Sequence, residues 1–240
     1  MTEMTMQRWL DTAWISPDVA ALRPDYAALL LVADGLRPGP SDNDTEGILS
    51  AAEDTARAHL ARTPIAELPH VGEWRETFKL FGAKPQRARP SVEALLRRLD
   101  PGLPRIDRIT DVYNAVSISH LLPIGGEDLG CYRGALRLVR ATGQESFDTS
   151  IAGQPAIEHP AEGEVVWRDD AGVTCRRWNW RQCHRTRITG TTTSGLFILD
   201  GLSALGADGL RRAGDHLVDL LLRTNPGART AVGSPSSEAL

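Results

Sequence analysis

The sequence predicts an α+β protein, and three features of its apolar patterning carry that reading. Apolar residues recur at helical spacing between Thr45 and Leu121, the period drops to two from Gly130 onward, and helical spacing returns over Asp208–Arg223. The chain has 240 residues, of which 41% are hydrophobic and 24% charged, a composition of ordinary globular proteins. A chain of this length buries roughly 70% of its unfolded surface, so its core needs neither disulfides nor a structural metal. Residues 1–225 read as a single domain without internal repeats.

The elements follow in order. Leu29, Leu31 and their neighbours form a continuous apolar run between Pro24-Asp25 and Asp34-Gly35, which predicts a buried strand. Pro38-Gly39-Pro40-Ser41 breaks the chain before a helix over Thr45–Ala61, with Ile48, Leu49, Ala52, Ala56 and Leu60 on one side. A second helix over Ser91–Asp100 sets Val92, Leu95, Leu96 and Leu99 on its apolar face and Arg97 and Arg98 toward water. A third covers Ile106–Leu121. Cys131 to Leu138 alternate as a strand, and Val165–Arg168 and Val173–Trp180 flank Asp169-Asp170-Ala171-Gly172 as a β-hairpin. Gly195–Asp200 is a further strand. Leu210, Ala213, Leu217, Leu220 and Leu221 line one face of a closing helix that Pro226-Gly227 ends. Gly227–Leu240 is small and polar and reads as a disordered tail.

Several functions lose their footing here. The longest apolar run is seven residues, Ala27–Ala33, against roughly twenty for a membrane helix, and the N-terminus has no signal-peptide pattern, so a cytoplasmic protein is expected. Three cysteines, none in a CxxC pair, suit reduced thiols. No GxGxxG follows a strand, and neither GxxxxGK[ST] nor GxSxG occurs. Cys175, Cys183 and His184 lack a fourth ligand in paired spacing, so no metal and no cofactor is expected.

Charge is unevenly spread. The net charge of -4 hides a net of -7 over residues 1–73, +5 over 75–108 and +4 over 168–187. The two basic segments suit a phosphate-bearing partner or are simply solvated faces. Within the second lies Arg176-Arg177-Trp178-Asn179-Trp180-Arg181-Gln182. In an extended strand Arg177 and Asn179 share one face, and Arg176, Trp178 and Trp180 the other. Arginines among indoles suit stacking and phosphate contacts; the alternative is a core strand whose tryptophans are packed and whose arginines make salt bridges. A second constellation is Asn114, Ser117, Ser119 and His120 on the third helix, followed by the loop Pro123-Ile124-Gly125-Gly126-Glu127-Asp128. The paired carboxylates line a pocket there, with Gly126 admitting a ligand to the backbone, or else form a solvated turn.

Phe78-Lys79-Leu80-Phe81, Asp111-Val112-Tyr113-Asn114, Pro123–Gly126, Tyr132-Arg133-Gly134, Gly163-Glu164-Val165-Val166 and the tryptophan-asparagine-tryptophan segment together resemble free-standing B3/B4 proteins. These are similar to the editing domain of the phenylalanyl-tRNA synthetase β subunit. The resemblance covers residues 70–205, with 1–70 matching more loosely. It implies a layered β-sandwich of unusual topology flanked by helices. It also implies a deacylase acting in trans, which hydrolyses the ester of a mischarged tRNA. Such an ester is already activated, so a positioned water and donors to the developing oxyanion suffice without a side-chain nucleophile.

By this resemblance Asn179, Gln182 and Asn114 are the catalytic candidates. Gly125, Gly126, Glu127, Asp128 and Arg177 would form the substrate pocket. Asn114, Pro123 and Asp128 match motif positions, but the synthetase histidine falls on Gly125, so tyrosine specificity does not carry over. Glu127 and Asp128 favour a cationic or non-proteinogenic amino acid instead. Arg87, Arg89, Arg97 and Arg98 would hold the acceptor arm, with Arg185 near the terminal adenosine. The implied partner is aminoacyl-tRNA, with an aminoacyl-tRNA synthetase compatible beside it. A non-catalytic RNA- or amino-acid-binding module is the alternative, and a hydrolase or transferase acting on a small aminoacyl compound without RNA a third.

Overall fold

The computed structural model describes residues 1–84 and 86–237. Its first half runs α1 (Glu3–Leu10), β1 (Trp14–Ile15), α2 (Pro17–Leu22), β2 (Ala27–Asp34), α3 (Asn43–Leu60), α4 (Pro69–Leu80), α5 (Ser91–Leu96) and α6 (Arg108–His120). The second half runs β3 (Ile124–Asp128), β4 (Arg137–Arg140), β5 (Phe147–Ile151), β6 (Gln154–Glu158), β7 (Val165–Arg168) and β8 (Val173–Arg176). It closes with β9 (Arg181–Gln182), β10 (Ser194–Gly201), α7 (Gly206–Thr224) and β11 (Arg229–Gly233). The α+β class read from the sequence holds.

The strands form a four-stranded sheet, β11-β2-β10-β3, a five-stranded sheet, β1-β4-β7-β8-β9, and the separate hairpin β5-β6. In the four-stranded sheet β2 and β10 pair antiparallel, with Leu31 opposite Phe197. Because side chains alternate across a strand, Leu30, Val32, Leu196 and Ile198 enter the core shared with Leu138, Val165 and Trp167 of the other sheet. Leu31, Ala33, Phe197 and Leu199 pack instead with Val112, Val116, Leu217 and Leu221 of α6 and α7. Both faces of β2 are therefore covered, which is why its sequence is a continuous apolar run rather than an alternation.

A helical layer lies beyond. α3, α4, α5 and α6 share a core of Leu49, Ala52, Val71, Val92, Leu96, Ala115 and Ile118. α3 begins at a capping box in which Asp42 accepts from the Thr45 N–H and Thr45 Oγ1 accepts from the Asp42 N–H, each at 3.0 Å. α6 is buried at every position from Ile109 to Ile118, between the sheet and the other helices. It delivers Tyr113 and Asn114 to the region where β3 begins.

Four expectations are corrected. The strand expected from Cys131 to Leu138 is confined to Arg137–Arg140, because Leu129–Cys131 forms a 3-10 turn and Gly134 takes φ 72. The expected loop 123–128 contains β3, a strand zipped onto β10 with Gly126 opposite Phe197. Residues 229–233, expected within a disordered tail, form β11 and pair with β2, and Ser236 bridges Trp14; residues 238–240 lie outside the described residues. The helix of Ser91 ends at Leu96 rather than Asp100.

Candidate functional site

The expected strand Val173–Trp180 breaks at its arginines. Arg177 and Trp178 both take left-handed backbone, φ 48 and 68, so β8 turns back into β9 with Cys175 opposite Gln182. Each non-glycine residue in that conformation costs roughly 1–2 kcal/mol. Burial of the Trp178 indole offsets this, since deleting such a ring typically costs about 3–5 kcal/mol. Trp178 is fully buried, edge-to-face with Tyr26 at 4.8 Å and Trp74 at 5.5 Å. Trp180 stays half-buried, with the Arg177 and Arg181 guanidiniums over its ring at 4.2 and 4.8 Å. The two tryptophans thus divide the two readings, one filling the core and the other stacking with arginine. Asn179 is carried between them and tied to α5 by its carbonyl, which accepts from the Ser91 N–H at 3.1 Å.

Beside this turn lies a cavity of about 250 Å³. Its walls come from α5 and the turn after it (Ser91, Leu95, Arg98), α6 (Tyr113, Asn114), β3 (Gly125, Glu127), the turn after β8 (Trp178, Asn179, Trp180), β9 (Arg181, Gln182) and β10 (Ile198, Asp200). Among the described residues eight buried side-chain polar atoms lack a hydrogen-bond partner, and six belong to residues lining this cavity. They include Ser91 Oγ, Glu127 Oε1, Asn179 Oδ1 and Arg181 Nε. Buried polar groups are ordinarily paired, so their concentration around one concave space makes it the candidate site.

Two carboxyls line it. Glu127 accepts on Oε2 from Tyr132 OH at 2.6 Å and Thr186 Oγ1 at 2.7 Å, while burial pushes its pKa up to about 6. Asp200 accepts from Tyr26 OH at 2.5 Å and Asn179 Nδ2 at 3.2 Å, and burial pushes it up to about 7. Gln182 Nε2 donates to the Gly126 carbonyl at 3.0 Å. A Cβ at Gly125 would stand 3.1 Å from that nitrogen, so the glycine leaves Gln182 its room. Burial also pushes the Cys175 thiol at the cavity wall well up, which disfavours the thiolate a cysteine nucleophile requires.

Of the residues singled out from sequence, Asn114, Gly125, Glu127, Asn179, Gln182 and Arg98 line the cavity. Asp128 does not, because strand alternation turns it away from Glu127; its carboxylate accepts from the Gly130 N–H at 2.9 Å and Thr192 Oγ1 at 2.6 Å. The pair of pocket carboxylates is therefore Glu127 and Asp200, not Glu127 and Asp128. Gly126 packs toward Tyr113, where an added Cβ would meet the ring at 2.5 Å, so it serves packing rather than ligand approach. Gly126→Ala is accordingly expected to lower stability by about 1–3 kcal/mol in urea unfolding; a change under half of that would show that the ring gives way. Arg177 and Arg87 lie in a neighbouring cleft with Phe81, Lys84 and Glu164. Arg185 is spent on Asp169 at 2.8 Å and on the Cys131 carbonyl. Arg89 and Arg97 surround the buried Glu93, which Arg75 also grips through two bonds.

Sequence reasoning missed Asp200, Tyr26 and Ser91. Asp200 had a visible signal, an acid closing the apolar run Leu196–Leu199 in a buried strand. Among the described residues no cluster of three or more His, Cys, Asp or Glu side chains is placed to hold a metal ion. No helix among them is long and apolar enough to cross a membrane.

Comparison with family models matches residues 73–214 to the B3/4 domain, which is more than half of the chain and includes every residue that lines the cavity. The chain belongs to the B3/4 family. The resemblance read from its motifs is borne out. Among solved structures, this B3/4 protein is similar to an N-terminal fragment of the phenylalanyl-tRNA synthetase β subunit from Pyrococcus horikoshii. The identity is 12%, the TM-score 0.46, and the match covers 91% of this chain and 50% of that one. The B3/4 chain thus spans about half the length of that fragment. Comparison with curated proteins gives no match.

Proposed function

We propose that this B3/4 protein hydrolyses the ester of a mischarged aminoacyl-tRNA, acting in trans. The observation that carries this reading is the group of unpaired buried polar atoms around the 250 Å³ cavity, a space on the scale of one amino acid. In the reaction, water adds to the acyl carbon, the bond from that carbon to the ribose oxygen breaks, and the released oxygen takes a proton. Asn179 Oδ1 and Glu127 Oε1 offer acceptors to the water and to the substrate ammonium, and Ser91 Oγ–H offers a donor to the oxyanion. Asn114 and Gln182 fix the acyl group between them.

Two carboxyls facing one cavity favour a cationic amino acid. A bound cation would draw both toward ionisation, since an opposite charge nearby lowers a carboxyl pKa. Release of labelled amino acid from tRNAs charged correctly and incorrectly, with basic and with aromatic residues, tests both levels. Selective release from a basic mischarged species supports the full reading, and equal rates for basic and aromatic species remove the cation preference. Absence of release from any tRNA that still binds points to the non-catalytic module, a reading that Gly125 in the place of the family histidine favours.

The acceptor arm is assigned to the basic face that follows α5, where Arg97 and Arg98 are both exposed, Arg97 also bonding Glu93 and Arg98 reaching the cavity wall. Replacing both with alanine is expected to weaken tRNA binding and lower the slope of log affinity against log salt by about 1–2. An unchanged slope would remove this placement. Arg185, half-buried and held by both Asp169 and the Cys131 carbonyl, takes no part in this assignment.

A further inference from the structure

We infer that Asp200 is the positioning residue of this cavity: anchored by Tyr26, its carboxylate takes a hydrogen of the Asn179 amide and so presents Asn179 Oδ1 to the ligand. The geometry uses each carboxylate oxygen once. Oδ1 accepts from Tyr26 OH at 2.5 Å and Oδ2 from Asn179 Nδ2 at 3.2 Å. An amide has one donor end and one acceptor end, and an ionised carboxylate can only accept. Asn179 must therefore give Asp200 its NH2, which leaves Oδ1 buried, unpartnered and on a residue that lines the cavity. Tyr26 is itself fixed by edge-to-face packing on Trp178 and Trp74. Leucine at this position would satisfy the core more cheaply, since it continues the run Leu196–Leu199 and has no charge to desolvate.

The device responds to pH. Once protonated, Asp200 becomes a donor and can bond Asn179 Oδ1, which permits the reversed amide and withdraws the acceptor from the cavity. Its surroundings hold Tyr26 just before β2, Cys175 from β8, Glu127 from β3 and the cations Arg98 and Arg181 at the cavity wall. α4 contributes His70, whose Nε2 accepts from the Leu202 N–H at 3.1 Å. Only burial raises Asp200, opposed by the two hydrogen bonds it accepts, so its change of state is expected at about pH 7.

The orientation stands on geometry alone, whereas its effect on rate rests on the deacylase reading, and two readouts separate them. In ¹⁵N NMR of the full chain, the side-chain NH2 pair of Asn179 is expected to titrate with a midpoint near pH 7, to lose this titration in Asp200→Asn, and to titrate higher in Tyr26→Phe. An Asn179 pair that does not move between pH 5 and 9 in the parent protein would overturn the inference. With mischarged tRNA, Asp200→Asn is expected to lower kcat about thirtyfold and to flatten the rise in rate between pH 6 and 8. A variant that keeps the parent kcat and pH profile would overturn it equally. A parent protein that releases no amino acid removes the deacylase reading instead, and the NMR titration then decides the orientation by itself.

Discussion

Asn179→Ala is expected to lower the deacylation rate about a hundredfold while leaving the affinity for tRNA within threefold. The magnitude is that of deleting one preorganised polar group beside the reacting atoms, about 3 kcal/mol of transition-state stabilisation. Affinity should hardly change, because the proposed tRNA placement rests on the exposed Arg97 and Arg98 just after α5 and not on the turn after β8. The alanine also leaves the Asp200 carboxylate with Tyr26 as its remaining donor, in a site where burial already opposes charge. Its pKa should therefore rise further. Asn179→Asp is a sharper probe, since it puts a second carboxyl within hydrogen-bond reach of Asp200 and the two must share a proton at neutral pH. Single-turnover rates and filter binding on the same preparations decide the matter. An equal loss in rate and affinity would make Asn179 a binding residue rather than a catalytic one.

What the sequence displayed and what it concealed divide along physical lines. α7 was legible because its apolar face is unbroken, from Leu210 to Leu221, and one side meets water. α4 was not, because its buried face includes His70 and Thr77, polar residues that a periodicity search counts as exposed. Their burial is repaid by bonds no local pattern reveals, His70 with the Trp74 indole and the Leu202 N–H, and Thr77 with Arg23. β3 has the composition of a turn, and only its pairing with β10 makes it a strand. That error of element became an error of site, since a loop lets Glu127 and Asp128 face together whereas a strand sets them on opposite sides. The tryptophan-asparagine-tryptophan segment stands out in the sequence as a candidate binding segment, although the left-handed turn that brings Asn179 to the cavity arises from tertiary packing of Trp178.

Stability and site meet at Arg176, where the largest folding effect is expected. This buried guanidinium grips both oxygens of Glu164 at 2.8 Å and reaches Glu158 at 2.7 Å, joining the approach to β7, the hairpin β5-β6 and the end of β8. Arg176→Ala leaves Glu164 buried with only Arg177 at 3.5 Å to answer it, so a loss of about 3–5 kcal/mol is expected in urea unfolding. Arg176→Lys should recover little, because one ammonium cannot reproduce a planar two-bond grip. Arg176→Met combined with Glu164→Gln should recover most of the loss, since it removes the orphaned charge along with its partner. The left-handed turn begins at the next residue, so the single variant should also lose activity out of proportion to its folded fraction. A loss below about 1 kcal/mol would mean that water reaches Glu164, and the network would then be a surface feature that leaves the turn to be held by Trp178 alone.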